Sequence, residues 1–353
     1  MKSKIGKRLI LNILMLLVPI GFVVYFFVSE NGFIDLINNI EKFNWWWISV
    51  AIFCQFANVF IDAYVLFRIT HNYAEDFTLK KSLKTTAVGQ FFSVITPGAI
   101  GGQPMQLYSM KKQKIDTGAA TSSLIQKFLI YQPTITLYSF VALMCNLDIF
   151  KGHLGGAMIG LSLFGFISHA VVILFALMFS FNRKLTSSII KKCFRLLSKF
   201  KIIKNASEKS EKIEQQLMKF HESNIKLYKN KRMFIIVFGL TILQLTLIFA
   251  IPYAIYRSFN FIGANFFDML TGQAFVTMVA SFMPLPGGSG AAEGSFYIFF
   301  EIFFKENTIK SAILVWRIIT YFMNIVVFAP FARVGNIAET AEKLEKIEEA
   351  EEI

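Results

Sequence analysis

Two apolar stretches of this chain are interrupted midway by proline and glycine, and these interruptions constrain the fold more than any other feature. Between Leu83 and Met110 the apolar pattern breaks at Thr96-Pro97-Gly98-Ala99-Ile100-Gly101-Gly102, and between Met269 and Phe304 it breaks at Met283-Pro284-Leu285-Pro286-Gly287-Gly288-Ser289-Gly290. In the first stretch roughly 13 residues precede the break and about eight follow it, or about 20 Å and 12 Å of helix. Neither piece crosses a hydrocarbon core of about 30 Å. Proline and glycine at this density end helices, and non-helical backbone at membrane depth persists only where it is buried in protein or lines a cavity. Both regions read as re-entrant helical hairpins.

The rest of the chain makes the membrane unavoidable. Six segments reach the length of about 20 apolar residues that a span needs: Leu9–Val28, Trp45–Ile69, Gly118–Cys145, Leu154–Phe179, Met233–Arg257 and Ile309–Phe331. Of the 353 residues 55% are hydrophobic and only 17% charged, and 40 are phenylalanine, more than a soluble surface hides. The first run follows Lys2, Lys4, Lys7 and Arg8 but is too long for a signal sequence, and Ser29-Glu30 is no cleavage site, so it reads as a retained span. Three cysteines (Cys54, Cys145, Cys193) and four scattered histidines supply neither a disulfide framework nor a metal-ligand spacing, so no metal and no cofactor is expected.

Lys and Arg in short loops set the orientation. The basic N-terminus falls inside, and residues 29–44, with Glu30, Asp35 and Glu41 against Lys42, fall outside beside the interfacial Trp45-Trp46-Trp47. The first broken region lies between Lys80, Lys81, Lys84 and Lys111, Lys112, Lys114, which places its entry on the cytoplasmic face; the second, flanked by Asp268 and Lys305-Glu306, enters from outside. Residues 183–232 hold 15 Lys and Arg against four Glu, so +11 of the formal +13 sits in one cytoplasmic loop. Within it, Leu185, Ile189, Ile190, Phe194, Leu197 and Phe200 alternate with Lys191, Lys192, Arg195 and Lys199 at helical spacing, the pattern of a basic amphipathic helix on an anionic inner leaflet. Positive-inside topology accounts for this charge without nucleic acid. The fold class expected is an all-α polytopic membrane protein, six spans plus two re-entrant hairpins in an inverted-topology repeat, both termini cytoplasmic. A transmembrane domain covers 1–335, with a first half at 45–145 and an inverted second half at 233–331, and an acidic tail covers 336–353. Gly89-Gln90-Phe91-Phe92 before the first break is echoed by Gly272-Gln273-Ala274-Phe275 before the second. Interrupted segments at corresponding places of inverted halves point to a transporter site near the midplane.

Charges within spans are costly and ask for partners. Lys127 lies about nine residues, or about 14 Å, into its span, and Arg317 sits at a similar depth from the opposite face. One reading is snorkelling; the other is a pair of cations for a lipid phosphate, Arg317 as a planar fork and Lys127 as a point charge. The half-helices that start after the breaks, near Gln103-Pro104 and Ser289-Gly290, add backbone donors and positive dipole ends. Candidate lipid- and phosphate-binding residues are therefore Lys127, Arg317, Thr96, Gly98, Gly101, Gly102, Gln103, Pro286, Gly287, Gly288, Ser289 and Gly290. Candidates for headgroup recognition or proton coupling are Asp62, Glu293, Gln90 and Gln273. Glu293 also suits a helix-capping position, and Asp62 suits an ion pair with Lys127 or Arg317. Gln126 and Gln132-Pro133 suit helix packing. The glycines at 98–102 follow no strand and lack the lysine-serine ending of a phosphate loop, and no Ser/His/Asp set or HExxH motif points to an enzyme.

The segments Thr96-Pro97-Gly98-Ala99-Ile100-Gly101-Gly102-Gln103-Pro104-Met105-Gln106 and Pro284 to Phe296 closely resemble the two signature segments of the lysylphosphatidylglycerol synthase transmembrane-region family, which includes the flippase half of the multiple peptide resistance factor. The resemblance covers roughly residues 9–335. It implies an inverted-repeat flippase fold in the cell membrane, phospholipid as substrate, notably aminoacylated phosphatidylglycerol, and a link to antibiotic resistance. The full-length resistance factor carries a C-terminal aminoacyltransferase domain; this chain ends at Ile353 after its acidic tail, so a transporter rather than an enzyme is expected. Relatives in that family often have Glu or Asp near the position of Gln103, and a carboxylate role there does not transfer. A lipid flippase is the leading expectation, with a proton-coupled small-solute transporter, or a scaffold for a separate lysyltransferase or glycosyltransferase, as alternatives. The expected partners are membrane phospholipid, the anionic inner leaflet through 183–232 and a separate synthase, with room for a homo-oligomer.

Overall fold

The computed structural model describes residues 43–146, 156–182, 230–281 and 283–332, together with 41, 186–188 and 192. The expected first span, most of the basic loop 183–232 and the tail 336–353 lie outside the described residues. Within them the fold is built from helices: α1 (Trp45–Thr70), α2 (Leu79–Ile95), α3 (Gly102–Lys112), α4 (Thr117–Cys145), α5 (Gly156–Phe181), α6 (Lys231–Phe249), α7 (Ile251–Ser258), α8 (Phe266–Ala280), α9 (Ala291–Phe300), α10 (Glu306–Arg317) and α11 (Met323–Ala332), with a π-helical turn at Ile318–Phe322 joining the last two. Five stretches are long and apolar enough to cross a membrane: Trp45–Thr70, Thr117–Cys145, Gly160–Met178, Lys231–Ser258 and Thr308–Ala332. They coincide with the second to sixth expected spans. The stretch Lys231–Ser258 is divided at Ala250, because Pro252 has no N–H to continue the ladder and stands in the first turn of α7 instead.

Most helix starts are written in the sequence. Asn44, Thr78, Asp116, Asn230 and Asn265 each precede a helix and accept a hydrogen bond from an amide of its first turn, which satisfies donors left over by helix geometry. The two breaks lie where the apolar pattern fails: α2 ends at Ile95 and α3 starts at Gly102, while α8 ends at Ala280 and α9 starts at Ala291.

Each break folds its two helices back on each other, α2 on α3 and α8 on α9. The echoed glycines explain how. A Cβ on Gly89 would stand 2.4 Å from the Gln106 side chain of α3, and one on Gly272 would stand 2.9 Å from the Phe300 ring of α9. The returning helix thus lies against a bare glycine at the same place in both hairpins. The tips of the two hairpins meet, joined by an isolated antiparallel bridge at Pro97 and Pro286.

The remaining helices wrap this pair of hairpins across the halves. α11 packs on α2, α7 on α1, and α8 on α4 and α5. The largest core cluster is drawn mainly from the second half, joined by Ile48, Ala51 and Cys54 of α1; in it Phe296, Phe299 and Phe300 are fully buried and Phe275 stacks on Phe299 at 4.4 Å. Helix α5 is the opposite case: Phe164, Ile167, Leu174 and Phe175 are exposed, as expected of a helix that faces lipid. Gly165 lets it approach α8, since a Cβ there would stand 2.6 Å from the Met278 carbonyl oxygen.

Replacing Gly89 or Gly272 by Val should lower stability by about 1–3 kcal/mol through overpacking, read as an earlier midpoint in detergent denaturation. Gly239→Ala, where an added Cβ meets nothing within 4 Å, should leave the midpoint unchanged or raise it slightly.

Candidate functional site

Glu293 is the third residue of α9, where a carboxylate can turn back on the helix start. It does so: its Oε2 accepts from the Gly290 amide at 2.7 Å, while its Oε1 accepts from Arg317 Nε at 2.7 Å. Arg317 and Glu293 retain 4% and 1% of their surface, so this is an ion pair in the interior. Arg317 Nη1 donates to the Gly287 carbonyl at 3.1 Å, and the guanidinium lies 4.9 Å from the Trp316 ring and 5.5 Å from the Tyr321 ring. Gly287 has φ +62°, and a Cβ there would collide with Tyr321 at 2.2 Å, so only glycine turns its carbonyl to the arginine. Among the described residues Arg317 Nη2 has no hydrogen-bond partner. The π-helical turn begins directly after Arg317, and the Thr320 hydroxyl and Asn324 amide bond the carbonyls of Trp316 and Thr320 within it. Such turns concentrate at functional places in helices.

The first half holds a second ion pair. Asp62 of α1 accepts from Lys127 Nζ of α4 at 2.7 Å and from Gln244 Nε2 of α6 at 3.3 Å, which ties three helices together at one carboxylate. The Asp62 and Lys127 side chains are 7% and 14% exposed. Lys127 is therefore held by a carboxylate and does not snorkel to an interface.

Each pair lies at a cavity. One, of about 180 Å³, is lined by Asp62, Lys127 and Gln244 with Gln90, Gln103, Gln106, Gly102, Ser93 and Tyr131. The other, of about 320 Å³, is lined by Arg317, Gln273, Thr277, Gly98, Gly287, Gly288, Trp316, Thr320 and Tyr321, again with Ser93. Ser93 of α2 borders both, and a Cβ on Gly102 would stand 1.9 Å from its hydroxyl, so the serine is held by the start of α3. A larger hollow of about 570 Å³ between α4, α6 and α8 is apolar, has no charged residue in its lining and lies apart from both ion pairs.

Lys127, Asp62, Gln90, Gly102 and Gln103 thus come together at the first cavity, and Arg317, Gln273, Gly98, Gly287 and Gly288 at the second. The other candidates build the hairpin tips. Thr96 accepts from the Gly101 amide at 2.9 Å and donates to the Phe92 carbonyl, Ser289 donates to the carbonyl of Pro286, and Gly290 is taken by Glu293. Both cations are held in ion pairs: Asp62 takes Lys127, one of the two partners expected for it, and Glu293 both caps α9 and neutralises Arg317. Sequence reasoning missed Gln244, Ser93, Tyr321 and the π-helical turn. Gln126 is bonded to Tyr73, and Gln132 to His169 at 2.5 Å, which agrees with packing roles.

Residues 10–327 match the model of the family described as lysylphosphatidylglycerol synthase TM region, and the chain belongs to that family. It is similar to a UPF0104 membrane protein of Archaeoglobus fulgidus, 26% identical over 81% of this chain and 85% of that one. It is also similar to an uncharacterized protein of Mycoplasma genitalium, 26% identical over 88% of this chain and 84% of the relative, and to its Mycoplasma pneumoniae homologue, 24% identical over 89% and 84%.

Removing one member of a buried pair leaves the other charge uncompensated, so Glu293→Gln and Arg317→Met should each cost about 3–5 kcal/mol. The double variant should cost clearly less than the sum. Titrating the purified proteins with a denaturing detergent reads this directly, and strictly additive losses would contradict the coupling.

Proposed function

We propose that this family member is a lipid flippase, a carrier that moves a polar-headgroup phospholipid between the leaflets of the cell membrane. The observation that carries the reading is the meeting of the two interrupted hairpins at Pro97 and Pro286, with a charged cavity at each. In a membrane this arrangement makes α2–α3 and α8–α9 re-entrant hairpins entering from opposite faces, as the lysine flanks of the first and the lack of basic excess around the second suggest. The headgroup passes between the halves, using Asp62–Lys127 and Glu293–Arg317 as polar stations on either side of Ser93. The acyl chains stay in lipid. The apolar hollow between α4, α6 and α8 suits such a chain, because its lining offers a hydrocarbon tail contact without displacing any charged group.

The family's name, which ties this membrane region to a lipid-modifying synthase, supports a lipid over a small solute. On this reading the chain is not itself an enzyme. It works beside a separate synthase, holds the anionic inner leaflet through 183–232, and keeps both termini cytoplasmic.

The test is leaflet exchange of an acyl-labelled phospholipid in vesicles, read by dithionite quenching. Vesicles carrying the purified protein should exchange lipid clearly faster than protein-free ones. Asp62→Asn combined with Lys127→Gln removes the first station without stranding a charge. It should slow exchange about tenfold or more, the effect of about 1.4 kcal/mol, with the denaturation midpoint little changed. Absence of exchange with every headgroup, together with solute uptake driven by a pH gradient, would establish the small-solute transporter instead.

A further inference from the structure

Four side chains that line the first cavity, those of Gln90, Gln103, Gln106 and Ser93, make no hydrogen bond among the described residues. Their polar atoms are not among those sealed from the accessible surface, so they open onto the cavity. Gln106 matters most: it is only 7% exposed, yet both ends of its amide stay open. A buried amide left without a partner is costly, so whatever enters the cavity has to answer it.

The four groups stand within reach of one another. Gln90 and Ser93 are three residues apart on α2, and Gln103 and Gln106 three apart on α3. Pairs at that spacing share a helix face at about 5–6 Å. The two helices pack face to face here, with Gln106 lying on Gly89 and Ser93 on Gly102. The cavity of about 180 Å³ has room for about six waters at about 30 Å³ each. That is the scale of one hydroxylated ring, and it falls below the usual small-ligand range of about 300–1,000 Å³, so the cavity takes the end of a headgroup and no more.

Charge is already settled at this place. Lys127 donates to one oxygen of Asp62 and Gln244 to the other, and among the described residues no further charged side chain lines the cavity. A helix start ordinarily offers free amides to an anion, but the start of α3 offers almost none. The Gly102 amide is taken by the Ala99 carbonyl at 3.3 Å and Pro104 has no N–H, which leaves only that of Gln103 in the first three positions. A phosphate or an ammonium entering here brings a charge that nothing cancels. A hydroxyl donates and accepts, as a primary amide does, and brings none.

We infer, on the carrier reading above, that this cavity takes an uncharged polyhydroxyl ring, a sugar or cyclitol borne on the phosphate of the lipid. Its hydroxyls meet the amides of Gln90, Gln103 and Gln106 and the Ser93 hydroxyl, while Phe128 and Tyr131 of α4 add apolar surface for its C–H groups. A glycerol headgroup has two hydroxyls for these four groups, and an ethanolamine headgroup brings an ammonium to a site without a spare carboxylate. Gln106 is the specificity-determining residue, because its packing on Gly89 fixes where a buried, open amide lies.

Inositol, glycerol and ethanolamine phospholipids of one short chain length separate these requirements, since all three carry the phosphate. Thermal stabilisation of the detergent-solubilised protein reads the site without transport. The inositol lipid should act at about fivefold lower concentration than the other two, the effect of one net neutral hydrogen bond. Gln106→Met, which keeps the packing on Gly89, should bring the inositol lipid to the level of the glycerol lipid. Gln103→Leu, at an exposed position that the fold tolerates, should lose part of the preference even if the first variant does not fold. Leaflet exchange of acyl-labelled forms in vesicles should follow the same order. Selective stabilisation that the substitutions remove supports the site even if no lipid moves, in which case the carrier reading alone fails. Free myo-inositol stabilising as well as its lipid assigns the site to a soluble polyol and overturns the lipid assignment. Stabilisation equal across the three lipids, favouring glycerol or ethanolamine, or unchanged by both substitutions overturns the inference while the carrier reading stands.

Discussion

A cation and a carboxylate sealed inside an apolar protein have to find each other, and the bond between Arg317 and Glu293 organises the second half of this fold. Glu293 holds the start of α9 by capping Gly290, and through Arg317 it fixes α10 to the same place. Arg317 in turn takes the Gly287 carbonyl, so the broken backbone before α9 is anchored by a side chain from another helix. The break persists in the interior because its polar groups are answered by protein. Without the arginine, the Gly287 carbonyl and the Glu293 carboxylate would have no cation to answer them.

The first half meets the same constraint with different parts. Its hairpin tip is closed by Thr96, which serves Gly101 and Phe92 at once, so no charge is needed in the turn itself. Its ion pair lies off the hairpin, between α1 and α4, with Gln244 reaching from α6 in the second half. The resemblance of the halves therefore lies in their hairpins and glycine contacts, and their stations are built separately. That difference gives two cavities of unequal size around Ser93.

The breaks were legible because proline and glycine act locally: whatever lies around them, a helix stops there, and α3 and α9 begin within a residue or two of where the letters place them. The glycine echo was legible as letters, and its meaning, a returning helix on bare backbone at Gly89 and Gly272, needed the packing. Buried charge was legible as a demand for partners. The choice for Asp62 narrowed to Lys127 or Arg317 and went no further, and Gln244 was not legible at all, because Asp62 lies 65 residues from Lys127 and 182 from Gln244, and only the helix arrangement brings them together. The π-helical turn after Arg317 has no local signature in Ile318–Phe322; it directly follows an arginine held by Glu293 and Gly287. The first apolar run and the basic loop fall outside the described residues.

The pairing of both cations bears on how a carrier works as much as on how it folds. A bare arginine at membrane depth grips a phosphate with its whole fork, and a ligand held that firmly does not leave. A path through the membrane needs binding strong enough to admit the substrate and weak enough to release it. Glu293 and Gly287 occupy Nε and Nη1 of Arg317, which leaves the fork only partly free. On the carrier proposed above, the same bonds that hold α9 and the broken segment in place would limit the grip on the substrate. On that proposal, the requirement to neutralise a buried charge and the requirement to let a headgroup go are met by one carboxylate.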